Sequence, residues 1–337
     1  MRKVANSLSR NVGIDVLKVV ACFLVVSLHT INSTFGLLHR IIISTSVIAI
    51  PIFFTTSGVF MLGKESVSYS YIFRKIGKIL AVCFMWECLY SIVLFIVKHE
   101  WRPFLGSFLY DFFQKGLFFH FWYLGAMIIL YLLCPLLHKL IKRNPQLFIG
   151  LTICLGVINI LLDVMQLIEG RQFVLNVVQT LRIWIWLFYF MSGGVIAILC
   201  KKKINISSIM RGGGVCISYL VMLSWILLGR SYAYGNLIIE GYYSGLPIIL
   251  FVIGCSTLFY KISNIDSTFV KLSQVAKYNM GIYILHPFVL SILGHFWERL
   301  TSDKLLNILF CIIVYIVSLL ITRIIYRIPV INQLIKM

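Results

Sequence analysis

The chain is a succession of apolar segments about twenty residues long, separated by short polar breaks. A helix of about 20 apolar residues is long enough to cross the hydrocarbon core of a bilayer. The pattern predicts ten such spans. They cover about 14–34, 41–62, 76–97, 120–141, 147–167, 180–200, 213–230, 242–260, 278–297 and 305–327. The predicted fold is therefore all-α and integral to the membrane: a single transmembrane domain over residues 1–337, with no soluble domain.

Composition agrees with this fold, and charge adds an orientation. The 337 residues are 60% hydrophobic and 12% charged, with a formal net charge of +19. Such a charge could indicate nucleic-acid binding, but the basic residues form short clusters between apolar spans. Clusters of this kind follow the positive-inside rule. Most lysines and arginines fall in every second connecting segment. We therefore expect both termini in the cytoplasm, the lipid bilayer as a partner, and no nucleic acid.

One segment between predicted spans does not fit the spanning pattern. Residues 101–119 are too short and too charged to cross a bilayer. They predict an outer amphipathic or re-entrant helix that lies over the bundle, although plain interfacial packing would give the same pattern.

Nine cysteines lie mostly within the apolar spans, with no C-x-x-C pair and no histidine at metal-ligand spacing. We expect buried thiols, and neither a disulfide framework nor a metal site.

The first span carries an acid, a base and a histidine inside an apolar helix. Lys18 and His29 are eleven residues apart, which is about three helical turns, so they share one face about 16 Å apart along the axis. Asp15, three positions before Lys18, lies near the same stripe and can neutralise it. The alternatives are that Lys18 snorkels to the inner head groups and that His29 is a satisfied core histidine.

Other ionisable groups within or beside spans are candidates because charge is costly in a bilayer. Glu87 is predicted to be protonated, paired with a base, or orienting a histidine; a helix-to-helix hydrogen bond is the alternative. His286 precedes Pro287, whose kink can aim the imidazole inward or be purely structural. The pair Ser57-Gly58 marks a close approach of helices or of a ligand. His120 is a further candidate, and so are Asp163 and Arg182, which lie nearer the outer ends of their spans.

Four motifs in order resemble the acyltransferase 3 family of integral membrane acyltransferases, and together they cover nearly all of the chain. They are Lys18-x10-His29 with Asp15 and Leu17; Phe53-Phe54-Thr55-Thr56-Ser57-Gly58; His120 with Trp122-Tyr123-Leu124, Tyr131-Leu132 and Pro135-Leu136; and Tyr283-Ile284-Leu285-His286-Pro287. One departure is Lys18, where many members have arginine. Lysine keeps the charge but loses the planar bidentate grip on phosphate or carboxylate.

The resemblance implies a membrane O-acyltransferase in a bacterial-type inner membrane. Its implied reaction moves an acyl group, usually acetyl, from cytoplasmic acetyl-CoA to a hydroxyl of an extracytoplasmic glycan or lipid-linked sugar. His29 would act as the base or carry the acyl group transiently. Glu87 or Asp15 would orient or neutralise basic partners, and Lys18, Arg74 and Lys75 would bind the CoA phosphates. The substrate-binding candidates are Ser57, His120, Trp122, Tyr123 and His286.

Two other classes of protein fit parts of the pattern. A small-molecule transporter or flippase would also place charges inside a helix bundle. A glycan polymerase would be similarly polytopic and basic inside, but it typically carries a large outer loop that this chain lacks. The sequence leaves homo-oligomerisation, the acceptor and the acyl chain length open.

Overall fold

The apolar segments of the chain form helices in a computed structural model that describes residues 11–99, 104–201, 208–234, 239–262, 266–329 and 331–335. All regular structure in these residues is helical. The α-helices are α1 Val12–Thr30, α2 Leu37–Ser46, α3 Ala49–Leu62, α4 Tyr69–Lys98, α5 Phe104–Asp111, α6 Trp122–Arg143, α7 Pro145–Glu169, α8 Ile183–Lys201, α9 Ser208–Ser224, α10 Ser231–Tyr234, α11 Leu246–Tyr260, α12 Ser267–Ser273, α13 Asn279–Phe296, α14 Glu298–Ser302 and α15 Lys304–Arg327.

Shorter helical turns connect these elements. The 3-10 turns are Ser33–Phe35, Phe119–Phe121, Phe173–Asn176, Gln179–Leu181, Ile239–Gly241, Gln274–Tyr278 and Ile331–Leu334, and a π-helical turn covers Trp225–Arg230.

Nine helical segments of the described residues are long and apolar enough to cross a membrane. They confirm an all-helical, multi-pass architecture. The eighth predicted span, residues 242–260, is the exception, because its helix α11 has only 15 residues. Gly245 is in an extended conformation and Pro247 lies in the first turn of the helix. Proline favours that position because it has no N–H to donate, so α11 begins several residues later than the apolar pattern suggests.

Polar side chains fix where several helices begin. The Asn11 side chain accepts from the Ile14 amide at the start of α1, and Ser68, Asn144 and Asp303 cap α4, α7 and α15 in the same way. These caps satisfy amides that have no partner within their own helix. Asn11 also donates from Nδ2 to the Tyr260 carbonyl at 3.0 Å, which joins the start of α1 to the end of α11.

Helix α1 lies in the middle of the bundle and contacts α2, α3, α11, α12, α13 and α15. Helices α3 and α8 pack closely against each other. A Cβ atom added at Gly58 would lie 1.9 Å from the Phe190 carbonyl oxygen, and one added at Gly193 would lie 2.0 Å from the Thr55 oxygen. The glycines therefore let the two backbones touch.

The outward faces of the long helices are apolar, as a lipid-facing surface requires. Ile96 on α4, Leu161 on α7 and Leu320 on α15 are among the large exposed hydrophobic side chains. The tightly packed interior around α1 and the apolar exterior together fit a helical bundle surrounded by lipid.

The segment predicted to lie over the bundle begins with α5, which packs against α4. Residues 101–103 lie outside the described residues. Asp111, the last residue of α5, is buried, and so are Phe112 and Phe118 in the turn that follows.

A buried ion pair joins α7 to the π-helical turn. Asp163 on α7 pairs with Arg230 at the end of the π-helical turn, and both side chains are buried. Arg230 also donates to the Tyr234 hydroxyl at 2.7 Å and lies over the Trp225 ring. Removing one partner of such a pair leaves an uncompensated buried charge, so the pair holds these elements together.

Candidate active site

The predicted stripe on α1 opens into two cavities. Lys18 is half-buried, with Nζ 3.8 Å from Asp15 Oδ1 and 4.0 Å from the centre of the Phe60 ring. His29, near the other end of the helix, is exposed to the second cavity. We call these spaces the Lys18 cavity and the His29 cavity.

The Lys18 cavity has a volume of about 290 Å³. Its walls include Ser57 on α3, Tyr123 on α6 and Tyr283 on α13, with Asn279 beside Lys18. Asn279 donates from Nδ2 to the Lys18 carbonyl at 3.0 Å, which holds α13 against this part of α1. The cavity is mostly apolar, with one ammonium group and a few hydroxyls.

The His29 cavity has a volume of about 320 Å³ and a more polar lining. Ser33, Trp122, Gln179, Glu240 and Tyr243 share its wall with apolar residues of α1, α2 and α3. Aromatic faces beside a small number of hydrogen-bonding groups are typical of sites for polar organic ligands.

Two residues, Val25 and Ile50, line both cavities. Val25 lies seven residues after Lys18 and four before His29, so about 10 Å and 6 Å separate these positions along the axis. The side chains of Val25 and Ile50 therefore form a thin apolar partition between the lysine and the histidine.

Three histidines from three different segments meet at the His29 end of α1. The His29 and His286 ring centres are 5.2 Å apart, and those of His120 and His286 are 5.8 Å apart. His120 and His286 are buried, with 3% and 0% of their surface exposed. Tyr283 donates its hydroxyl proton to the His120 carbonyl, which joins α13 to the turn before α6.

The hydrogen bonds of His286 determine its tautomer. Its Nδ1 lies 3.1 Å from the Ile282 carbonyl oxygen; a carbonyl only accepts, so Nδ1 carries the proton. The Nε2 atom is then the acceptor nitrogen, and no described residue donates to it. Pro287 has no N–H, so the helix opens at this turn.

Of the predicted CoA-binding residues, Lys75 lies close to the Lys18 cavity, and Arg74 does not line it. Lys75 lies with its ammonium 5.2 Å from the centre of the Tyr131 ring, and Tyr131 lines the Lys18 cavity. Lys64 adds a second ammonium nearby, 2.7 Å from the Tyr71 hydroxyl. Arg74, the residue before Lys75 on α4, is exposed.

Glu87 is 2% exposed and faces the carboxyl group of Asp111. Burial and the neighbouring Glu87 raise the pKa of Asp111 from 3.8 to about 8, because two adjacent carboxylates cannot both ionise cheaply in a low dielectric. Asp111 also accepts from the Phe118 amide at 2.8 Å. Phe118 packs against His120, so the carboxyl pair positions the segment that covers the histidines.

The structure thus divides the predicted substrate-binding set. Ser57 and Tyr123 belong to the Lys18 cavity, and Trp122 belongs to the His29 cavity. His120 and His286 form the cluster with His29. Asp15 remains with Lys18, and Glu87 lies beside the carboxyl group of Asp111.

Sequence reasoning missed three polar residues of the site: Asp111, Gln179 and Glu240. Asp111 and Glu240 lie between predicted spans, and Gln179 directly precedes one. A polar residue at the edge of an apolar run carries no sequence signal that separates a cavity wall from an ordinary loop.

All nine cysteines are free, and Cys154 and Cys216 are exposed rather than buried. Among the described residues, no group of three or more His, Cys, Asp or Glu is placed to hold a metal ion.

Fold and site together define a polytopic helical membrane protein whose central helix carries a basic residue and a histidine in two adjoining cavities. The sequence profile of the acyltransferase 3 family, described as "Acyltransferase domain", matches residues 11–327. The chain belongs to this family of membrane acyltransferases.

A search of curated proteins and of solved structures adds one relative. An amino-acid racemase of Enterococcus faecalis is 27% identical over an alignment of 338 residues. The alignment covers 89% of this chain and 44% of the relative. The chain therefore spans less than half the length of that relative. No solved structure matches significantly.

Proposed function

We propose that the protein is a membrane O-acyltransferase that moves an acetyl group from cytoplasmic acetyl-CoA to a hydroxyl of an extracytoplasmic cell-envelope glycan or glycolipid. The observation that carries this proposal is the pair of cavities that meet at Val25 and Ile50. A cationic cavity suits an anionic donor, and a polar aromatic cavity with a histidine suits a sugar hydroxyl.

The donor would lie in the Lys18 cavity. Lys18, Lys75 and Lys64 supply positive charge toward the CoA phosphates, which Coulomb attraction favours near a low-dielectric wall. The pantetheine arm is long, thin and largely apolar, so it matches the mostly apolar lining. Its thioester would then reach the partition between the cavities, while Lys18 need not touch the reacting carbon.

His29 would deprotonate the acceptor hydroxyl. The hydroxyl oxygen then attacks the thioester carbonyl carbon, the carbon–sulfur bond breaks, and the thiolate leaves as the proton passes to it. A neutral imidazole has one unprotonated ring nitrogen, which can accept this proton. In the alternative route, an imidazole nitrogen attacks the thioester carbonyl carbon, the carbon–sulfur bond breaks and CoA leaves as the thiol. The acetyl group then passes from the nitrogen to the hydroxyl oxygen, and the hydroxyl proton returns to the imidazole.

The histidine cluster supports a base at this position. His286 presents an unprotonated Nε2 toward the cluster, and His120 has no hydrogen-bond donor or acceptor at either ring nitrogen within the described residues. Ring nitrogens without a partner can accept a hydrogen bond from a donor close to His29.

The test is transfer by purified protein in proteoliposomes, with acetyl-CoA on one side and a sugar acceptor on the other. Replacing His29 by alanine should abolish acetylation of the acceptor while thermal unfolding stays as in the wild type. His295→Ala is the matched control, because His295 is exposed on α13 and lines neither cavity. Retained acetylation in the His29 variant would refute the assignment.

Transport of a small molecule is the second candidate function, favoured by two cavities that meet at a thin partition. A transporter would accumulate its substrate in proteoliposomes without acyl-CoA. The acyltransferase proposal predicts that no acceptor moves unless it is acetylated, so uptake without donor would favour transport.

A further inference from the structure

The polar lining of the His29 cavity includes one acidic side chain, Glu240, beside hydroxyl, amide, indole and imidazole groups. Gln179 is 2% exposed, and its backbone is fixed at both ends. Its N–H donates to Gln114 Oε1 at 2.8 Å, and its carbonyl accepts from Trp186 Nε1 at 2.6 Å. The side-chain Oε1 has no donor among the described residues. A buried amide oxygen that is rigidly held and left unsatisfied is suited to a ligand that brings the donor.

Glu240 adds a carboxylate at the edge of the same cavity. Its side chain is exposed, and its carbonyl oxygen accepts from Arg182 Nη1 at 2.8 Å. Arg182 also donates from Nε to the Val177 carbonyl at 2.8 Å. The buried guanidinium thus holds two backbone carbonyls behind the wall, and no lysine or arginine is among the described residues that line the cavity.

Two aromatic side chains complete the cavity. Trp122 and Tyr243 both line it, and the buried Trp186 packs against each of them, with ring centres 5.4 Å and 5.2 Å away. Apolar ring faces can pack against the C–H groups of a sugar ring, while the neighbouring acceptors take its hydroxyl donors.

We propose that Gln179 and Glu240 form the binding site of the acceptor headgroup and select a hydroxyl-rich sugar without an acidic group. This inference rests on the proposed acyl transfer and narrows its substrate class. A neutral sugar or an amino sugar supplies donors to both residues. A uronic acid or a sugar phosphate would bring a second negative charge beside Glu240, and the nearby cation, Arg182, is buried behind the wall and already bonded to the Glu240 and Val177 carbonyls.

Binding can be measured without turnover. Methyl glucoside, methyl glucosaminide and methyl glucuronide serve as the probes, titrated against purified protein in nanodiscs without acyl-CoA. We expect the two non-acidic glycosides to bind at least about tenfold more tightly than the glucuronide, since one charge-assisted contact has about that effect.

Three variants separate the contributions. Glu240→Gln should bring glucuronide binding to within about twofold of glucoside binding, because the repulsion is gone. Gln179→Met, similar in size but without the amide oxygen, should weaken binding of the non-acidic glycosides about tenfold. Glu169→Gln is the matched control, since Glu169 is an exposed acid at the end of α7 that pairs with Arg171. Thermal unfolding of each variant reports whether the fold is kept.

The outcomes separate this inference from the proposed function. Equal binding of glucuronide and glucoside by the wild type, or an unchanged ratio in Glu240→Gln, overturns the inference. Acetyl transfer without that preference would leave the acyltransferase standing and refute the role of these residues. Tighter binding of the non-acidic glycosides, together with a complete lack of acetyl transfer, would support the sugar site and refute the proposed acyltransferase activity.

Discussion

The partition between the two cavities gives the sharpest prediction of the proposed mechanism. The acyl group has to pass Val25 and Ile50, which line both cavities. The side chain of Val25 should therefore limit the length of the acyl chain that can be transferred. Replacing Val25 by alanine removes two carbon atoms from the partition, and a butyryl group has two more carbon atoms than an acetyl group.

The expected change in chain-length preference follows from this match in the number of carbon atoms. A methylene that fits or fails to fit an apolar pocket changes kcat/KM by about 10- to 200-fold. We expect the ratio of kcat/KM for butyryl-CoA to that for acetyl-CoA to rise by about this factor in Val25→Ala. The stability cost should be modest, because losing two buried carbon atoms costs about 1.6 kcal/mol before any cavity term.

The assay measures initial rates with acetyl-, propionyl- and butyryl-CoA and identifies the acylated acceptor by mass spectrometry. Val26→Ala is the matched control, because Val26 is a buried valine of the same helix that lines neither cavity. If Val25→Ala stays folded and active but keeps the wild-type preference for chain length, the acyl group does not pass this residue.

Three further predictions test the donor site, the packing and the carboxyl pair. Lys18→Met should raise the KM for acyl-CoA about 10- to 100-fold in rate measurements, because a charge-assisted contact is lost. Gly58→Ala should lower the free energy of unfolding in detergent by about 1–3 kcal/mol, since its Cβ would meet the Phe190 oxygen; an unchanged denaturation midpoint would contradict this. The raised pKa of Asp111 means that the native state holds a proton the unfolded chain has lost between pH 3.8 and about 8. Stability should therefore fall as the pH rises through that interval, and Asp111→Asn should flatten this dependence of the melting temperature.

The sequence by itself determined the helical membrane architecture. In lipid, backbone amides and carbonyls must bond within their own segment, so an apolar run of sufficient length becomes a helix whatever its neighbours are. Once α1 is a helix, its periodicity places Lys18 and His29 on one face, because the helical period fixes the angle between the two side chains around the helix axis. It failed at α11, where Gly245 and Pro247 delay the start of the helix and the apolar run is longer than the helix.

Only the tertiary structure decided which residues share a cavity. His286 lies 257 positions after His29 in the chain, and no periodicity relates residues on different helices. Asp111, the last residue of α5, lies beside Glu87, and no sequence pattern indicates that these two carboxyl groups meet. Gln179 became part of the wall because Gln114 and Trp186 fix its backbone. Contacts of this kind depend on which helix faces pack together, and that is settled by the shapes of all the side chains at once.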